Sequence, residues 1–168
     1  MRYLLLVTLG LLLFPAMGEA QEGEEQPRGQ GYVFFAPGKG YPGGTGTLHF
    51  GGGGERVLYK GLAVGGDIGY LFFPEGGFGA GIGLLSASGS YDFRNIQSFK
   101  KLVPFVTAGY SLAFRSGTAN LFQFGGGVTN WFTDRIWFRL EFRDTVAPNF
   151  CGCGTGHMLQ LRAGFTFR

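Results

Sequence analysis

Residues 135–144 alternate strictly, with Ile136, Phe138, Leu140 and Phe142 on one face of an extended chain and Arg135, Trp137, Arg139, Glu141 and Arg143 on the other. Residues 159–168 do the same, setting Leu159, Leu161, Ala163, Phe165 and Phe167 against Gln160, Arg162, Gly164, Thr166 and Arg168. The period of two runs backward through most of the chain. Phe122, Phe124, Gly126 and Val128 oppose Gln123, Gly125, Gly127 and Thr129. Val106, Ala108, Tyr110 and Leu112 oppose Phe105, Thr107, Gly109 and Ser111. Leu62, Val64, Ile68, Tyr70 and Phe72 oppose Ala63, Gly65, Asp67 and Gly69. In residues 78–93 the apolar parity changes, from Phe78, Ala80, Ile82 and Leu84 to Leu85, Ala87, Tyr91 and Phe93, which predicts a β-bulge near Leu84 and Leu85. Residues 45–50 and 31–36 give two shorter strands. Windows of period 3.6 are scarce after Gly31, and Gly, Pro, Asp and Ser separate the segments, with Asp134 turning the chain between the sixth and seventh. The pattern predicts an all-β chain of eight antiparallel strands.

The start of the chain has a different pattern. Met1, Arg2 and Tyr3 form a short basic head, residues 4–14 are almost continuously apolar, and Gly18, Glu19 and Ala20 place small residues where a signal peptidase reads. Residues 1–20 are therefore expected to be a cleaved secretory signal, too short in its apolar part to span a bilayer as a helix. Residues 21–30 are polar and acidic and carry Pro27, as a flexible leader would. Residues 31–168 are left for the folded domain.

Alternation alone does not say which face is the core, because a soluble barrel turns its apolar face inward and a membrane barrel turns it outward. Composition decides. Of 168 residues 33 are Gly, 17% are aromatic and only 15% are charged, so the polar face is mostly Gly, Ser and Thr. Such a face makes a poor solvated surface and suits a cramped lumen. Its charges, Asp67, Arg139, Glu141 and Arg162, are of both signs and are expected to pair inside as a charge network. Aromatics gather at strand ends, Phe72 and Phe78 toward one rim and Tyr91, Phe93, Phe132, Phe165 and Phe167 toward the other, where interfacial girdles belong. A net charge of +3 spread along the chain gives no basic stripe, which argues against nucleic acid as a partner. The fold class expected is an eight-stranded antiparallel up-and-down transmembrane β-barrel, with membrane lipid as its surroundings and a monomer as its state. Gly51, Gly52, Gly53 and Gly54 with Glu55 and Arg56 lack the Lys-Ser/Thr of a phosphate loop and read as a periplasmic turn.

Several segments carry a family likeness. Val103-Pro104-Phe105-Val106-Thr107-Ala108-Gly109-Tyr110, Gly125-Gly126-Gly127-Val128, Arg139-Leu140-Glu141-Phe142-Arg143 and Ala163-Gly164-Phe165-Thr166-Phe167 resemble, in order and spacing, the later strands of the small outer-membrane β-barrel (OmpA/OmpX-like) family. The resemblance implies a porin-like barrel in the cell outer membrane of a Gram-negative envelope, secreted across the inner membrane. It also implies that the terminal aromatic strand with Phe165 and Phe167 is the insertion signal read by the barrel-insertion machinery. The chain departs from the pattern by adding Arg168 after the aromatic.

Candidate chemistry is sparse. No catalytic, cofactor or metal site is expected. Arg139, Glu141, Arg143 and Arg162 form the sharpest constellation, because buried charges persist only when paired. They suit a lumen plug or a gated polar path. His49 and His157 are the only histidines, and Ser86, Ser88 and Ser90 meet His49 only if the register cooperates. Cys151 and Cys153 stand one residue apart in the longest expected outer loop, residues 145–156. The other outer loops fall at 37–44, 73–77 and 115–119. In an oxidising compartment the two thiols are expected to form a local disulfide without catalytic duty. A non-enzymatic barrel with an envelope-integrity or narrow-pore role is the function expected, the alternatives being a lipid-modifying outer-membrane enzyme and a secreted soluble barrel binding a small apolar ligand.

Overall fold

In a computed structural model, the structure describes residues 29–93, 102–131, 133, 135–148 and 154–168. Eight strands, β1 (Gly29–Tyr41), β2 (Gly46–Tyr59), β3 (Leu62–Phe73), β4 (Gly77–Asp92), β5 (Leu102–Phe114), β6 (Thr118–Trp131), β7 (Ile136–Ala147) and β8 (Gly156–Phe167), pair each with the next. β8 pairs with β1 and closes the barrel. The expected signal and most of the expected leader, with Phe132, Asp134, Cys151 and Cys153, lie outside the described residues.

Following paired residues perpendicular to the strands from Gly31 leads through Gly54, Gly66, Ala87, Tyr110, Phe122, Val146 and His157. The path returns to β1 at Tyr41, ten residues further along. A stagger of ten over eight strands inclines each strand by about 40° to the barrel axis. At that tilt 12 to 16 residues climb roughly 25–40 Å, enough to cross a hydrocarbon core of about 30 Å. The even strand number leaves both ends of the described chain at one rim, called here the terminal rim. The opposite one is the far rim.

Polarity is inverted relative to a soluble barrel. Ile68 is 60% exposed, Phe142 55%, and Phe122, Phe124, Phe165 and Val33 more than half. Asp67, Gln123, Glu141, Arg143, Gln160 and Arg162 are buried. An apolar outside and a polar inside, with no open sheet edge, is the arrangement a bilayer demands of strands. Ile136, Leu161 and Phe165 face out while Glu141, Arg143 and Arg162 are buried, as the alternation of β7 and β8 predicts.

Three expectations need correction. The first two strands are full length, because the glycine run with Glu55 and Arg56 is no turn: Gly51 to Glu55 pair with Phe34 to Gln30 on one side and Gly69 to Gly65 on the other. Those glycines make room. A Cβ at Gly51 or Gly53 would lie within 3 Å of the β3 backbone, and at Gly51 it would also strike the Phe34 ring. The true turn follows at Lys60 and Gly61, where positive φ values of 33° and 91° reverse the chain. Gly29 and Gln30, expected in a flexible leader, instead belong to β1 and pair with Arg56 and Glu55.

Third, β4 has no bulge at Leu84 and Leu85. Its register with β5 is continuous from Gly83 to Asp92, and its irregularity with β3 falls between Leu71 and Phe73, beside the 3-10 turn Pro74–Gly76. Leu85 faces lipid, half exposed, while Leu84 is buried in the lumen. Parity changes in the sequence because the lumen side of β4 itself changes, from Ser90 and Ser86 toward the terminal rim to Leu84 toward the far rim. The strands also run further than expected, so the far-rim connections shrink to residues 42–45, 74–76, 115–117 and 148–155.

An arginine at Phe142, on the lipid face of β7, is expected to cost on the order of 2–4 kcal/mol. Reversible denaturant unfolding in lipid vesicles measures it. A Gly53→Val substitution is expected to destabilise by roughly 1–3 kcal/mol through overpacking against Gly66 and Asp67.

Candidate functional site

Eight strands enclose an interior just wide enough for side chains, and here it is filled in layers. At the terminal rim Trp137 is buried, with Trp131 edge-on at 4.8 Å between centroids and the Arg168 guanidinium 6.0 Å from its ring. Phe105 is fully buried just above. The middle layer is charged. Arg139 reaches across the lumen from β7 to Glu55 on β2, Nη1 to Oε2 at 3.1 Å, and lies 3.7 Å from Glu141. Arg143 donates from Nε to Glu141 at 2.5 Å and from Nη1 to Gln123 at 2.8 Å. Arg162 on β8 donates to Asp67 on β3 at 3.1 Å, and the Tyr32 hydroxyl donates to the same oxygen. Gln30 donates its amide to Glu55.

The three arginines thus meet three carboxylates, and each carboxylate receives more than one partner. Charge alone would not carry them, since burying an ion costs several kcal/mol even after relaxation. Flat aromatic faces supply more. The guanidinium of Arg139 stacks 3.8 Å above the Phe105 ring, and that of Arg162 stacks 3.4 Å from Phe34. Small residues open the space: a Cβ at Gly125 would press on the Arg143 backbone and Glu141, and one at Gly164 on Phe34. A void of about 20 Å³ lies among these charges, lined by Tyr32, Phe34, Glu55, Arg139, Glu141 and Arg162.

The four residues named as a network, Asp67, Arg139, Glu141 and Arg162, all line this layer. Glu141 and Arg162 face each other in register across β7 and β8, yet Arg162 bonds Asp67 on the opposite wall. Glu55 was missed, hidden in the glycine run. Its signal was there, because Thr47, His49, Gly51, Gly53 and Glu55 keep one unbroken parity. Phe34 and Phe105 were missed as stacking partners, since an aromatic on the polar face has no periodic signature.

Above the charges lies a layer of amides and hydroxyls. Ser111 donates to Ser86 at 2.9 Å, and His49 meets Phe34 edge-on at 4.9 Å. So Ser86 is engaged with β5, and no serine–histidine pair of the hydrolytic kind is formed by it. His157 stands elsewhere, on the outward face of β8 near the far rim, with Nδ1 2.9 Å from Asp144 Oδ2. The last layer, at the far rim, is apolar: Leu71, Leu84, Ala113 and Leu121 pack together, flanked by Phe73, Ile82, Ala147 and Met158.

A closed eight-stranded antiparallel barrel with an apolar, aromatic exterior and a lumen of ion pairs has the fold of a small transmembrane β-barrel. Solved structures agree on the fold. Neisserial surface protein A matches with a TM-score of 0.65 over 87% of this chain and 99% of its own, at 16% identity. The N-terminal β-barrel domain of Pseudomonas aeruginosa OprF matches at 0.58, over 84% and 100%, also at 16% identity. A de novo designed transmembrane β-barrel matches at 0.54, over 86% and 98%, again at 16% identity. No protein-family model and no curated protein sequence matches the chain.

Removing one partner of a buried pair leaves an uncompensated charge, so Arg162→Met is expected to cost about 3–5 kcal/mol. Adding Asp67→Leu removes the stranded carboxylate and is expected to recover most of that loss. Unfolding of both variants in lipid, followed by tryptophan fluorescence, tests the coupling.

Proposed function

We propose that this chain is an integral outer-membrane barrel with a structural, non-enzymatic role in the envelope, its lumen closed to bulk solutes. The observation that carries the reading is the filled lumen. Two arginine–carboxylate pairs, Arg139 with Glu55 and Arg162 with Asp67, cross-link strands on opposite walls, both arginines clamped on aromatic rings, and Arg143 with Glu141 fills the space beside them. That arrangement braces the cylinder and, with the apolar layer at the far rim, fills the lumen with side chains, where a diffusion pore needs a continuous wet path. The terminal rim faces the periplasm in this reading and the far rim faces outward. Three of the four far-rim connections are only three or four residues long, so the outer surface offers little to a binding partner. A soluble barrel holding an apolar ligand fits poorly, because its exterior would present Ile68, Phe122, Phe124 and Phe142 to water.

One observation favours a second reading. A histidine oriented by a carboxylate on the lipid face, as His157 is by Asp144, is the kind of ionisable pair that membrane proteins retain for function. A lipid-acting enzyme would use it as a base. Turnover of phospholipid in vesicles that vanishes in His157→Gln would support this reading over the structural one.

Two measurements test the main proposal. The folded chain is expected in the outer-membrane fraction, with gel mobility that changes on heating. In planar bilayers it is expected to show no large steady conductance. Porin-sized steps in the unmodified protein would refute a closed lumen.

A further inference from the structure

Above the buried aromatics of the terminal rim, Trp137 and Phe105, the lumen is filled by two unlike materials, polar and apolar, and they divide the work. The charged layer is polar and holds a small void among its ion pairs. The amide and hydroxyl layer above it is more plainly a place for water: Thr47 Oγ1, His49 Nε2, Gln123 Nε2 and Gln160 Nε2 are all buried, and none has a protein partner among the described residues. Buried polar atoms of this kind are satisfied by ordered water. Arg162 Nη1 and Asp67 Oδ1, just below, are in the same position.

Toward the far rim the polar groups give way to Leu71 on β3, Leu84 on β4, Ala113 on β5 and Leu121 on β6. Met158 on β8 and Ala147 on β7 complete the arc. The facing wall, β1 and β2, contributes Gly38 and Thr47. A Cβ at Gly38 would strike Gln160 Cγ and Thr47 Oγ1, so that wall is packed tight as well. Thr47 is the polar member of that wall and the rest of the ring is apolar, so little is offered to an ion that has shed its water, and narrow apolar constrictions exclude ions by dewetting.

Resting on the membrane reading above, we infer that the barrier to permeation in this barrel is the apolar ring of Leu71, Leu84 and Leu121 at the far rim, and that the ion-pair layer beneath it is a hydrated vestibule. The charges brace the wall, and the leucines keep the lumen shut. Made polar, the ring passes small hydrated ions; with the ring intact, loosening the ion pairs does not.

Planar-bilayer recording of the full chain separates the two layers. A Leu84→Ser/Leu121→Ser variant is expected to raise the fraction of time spent conducting by at least about tenfold over the unmodified protein, with small steps. Glu55→Gln/Arg139→Gln, which leaves the ring untouched, is expected to stay silent. A leucine variant that is folded by heat-modifiable mobility yet silent overturns the inference, as does an ion-pair variant that conducts. If the double leucine variant does not insert, a thiol placed beneath the ring gives the same answer. With Cys151 and Cys153 replaced by Ser, Ser111→Cys is exposed to a charged thiol reagent from the outer side. Labelling is expected to accelerate at least about tenfold when Leu121→Ala is added, and equal rates overturn the inference. Porin-sized conductance in the unmodified protein is a different failure: it refutes the closed barrel itself.

Discussion

A wall of eight strands staggered by ten residues fixes the width of the space inside, and everything else in this protein answers to that width. The interior is too narrow for bulk water and too wide to leave empty, so it has to be filled with side chains from a wall whose outward positions are already committed to lipid. Only the inward half of each strand is available. Glycine and large residues therefore divide the inward positions between them. Gly51 and Gly164 leave room for Phe34, Gly69 for His49, and Gly125 for Glu141 and the strand that carries Arg143. The high glycine content and the high aromatic content are two sides of one packing solution.

Filling the space with charge needs a further condition, since an arginine buried with only a carboxylate gains little over leucine. Here Arg139 and Arg162 each have three kinds of neighbour: a carboxylate for charge, further hydrogen-bonding groups on that carboxylate, and an aromatic face for the flat surface of the guanidinium. Lysine could not take this place, having no plane to stack. The pairs also run across the lumen, β2 to β7 and β3 to β8, rather than between neighbours. They therefore resist flattening of the cylinder, which hydrogen bonds along the wall cannot do.

Much of this was legible in the chain. The strand count, the inward and outward faces of β3 and β5 to β8, and the charges at Asp67, Arg139, Glu141 and Arg162 all follow from period two and the shortage of charge. What failed has physical causes. Glycine has no side chain to report its face, so the run before Glu55 looked like a turn when it was the thinnest stretch of wall. The parity change at Leu84 and Leu85 looked like a backbone irregularity, because one apolar residue in the lumen and one in lipid cannot be told apart by hydrophobicity. The consecutive apolar residues Leu71, Phe72 and Phe73, or Leu121 beside Phe122, record the same event on other strands. Cross-lumen partners such as Arg162 and Asp67 are 95 residues apart, and only closure of the sheet brings them together.

The glycine-for-bulk exchange between adjacent strands has an evolutionary consequence. A lumen position cannot change alone: enlarging Gly51 evicts Phe34, and shrinking Phe34 exposes the guanidinium it carries. Lipid-facing positions have no such tie, since one apolar residue serves there as well as another. Descendants of such a chain would drift quickly on the outside and in coordinated pairs on the inside. The barrel would keep its shape long after its sequence had ceased to resemble its kin.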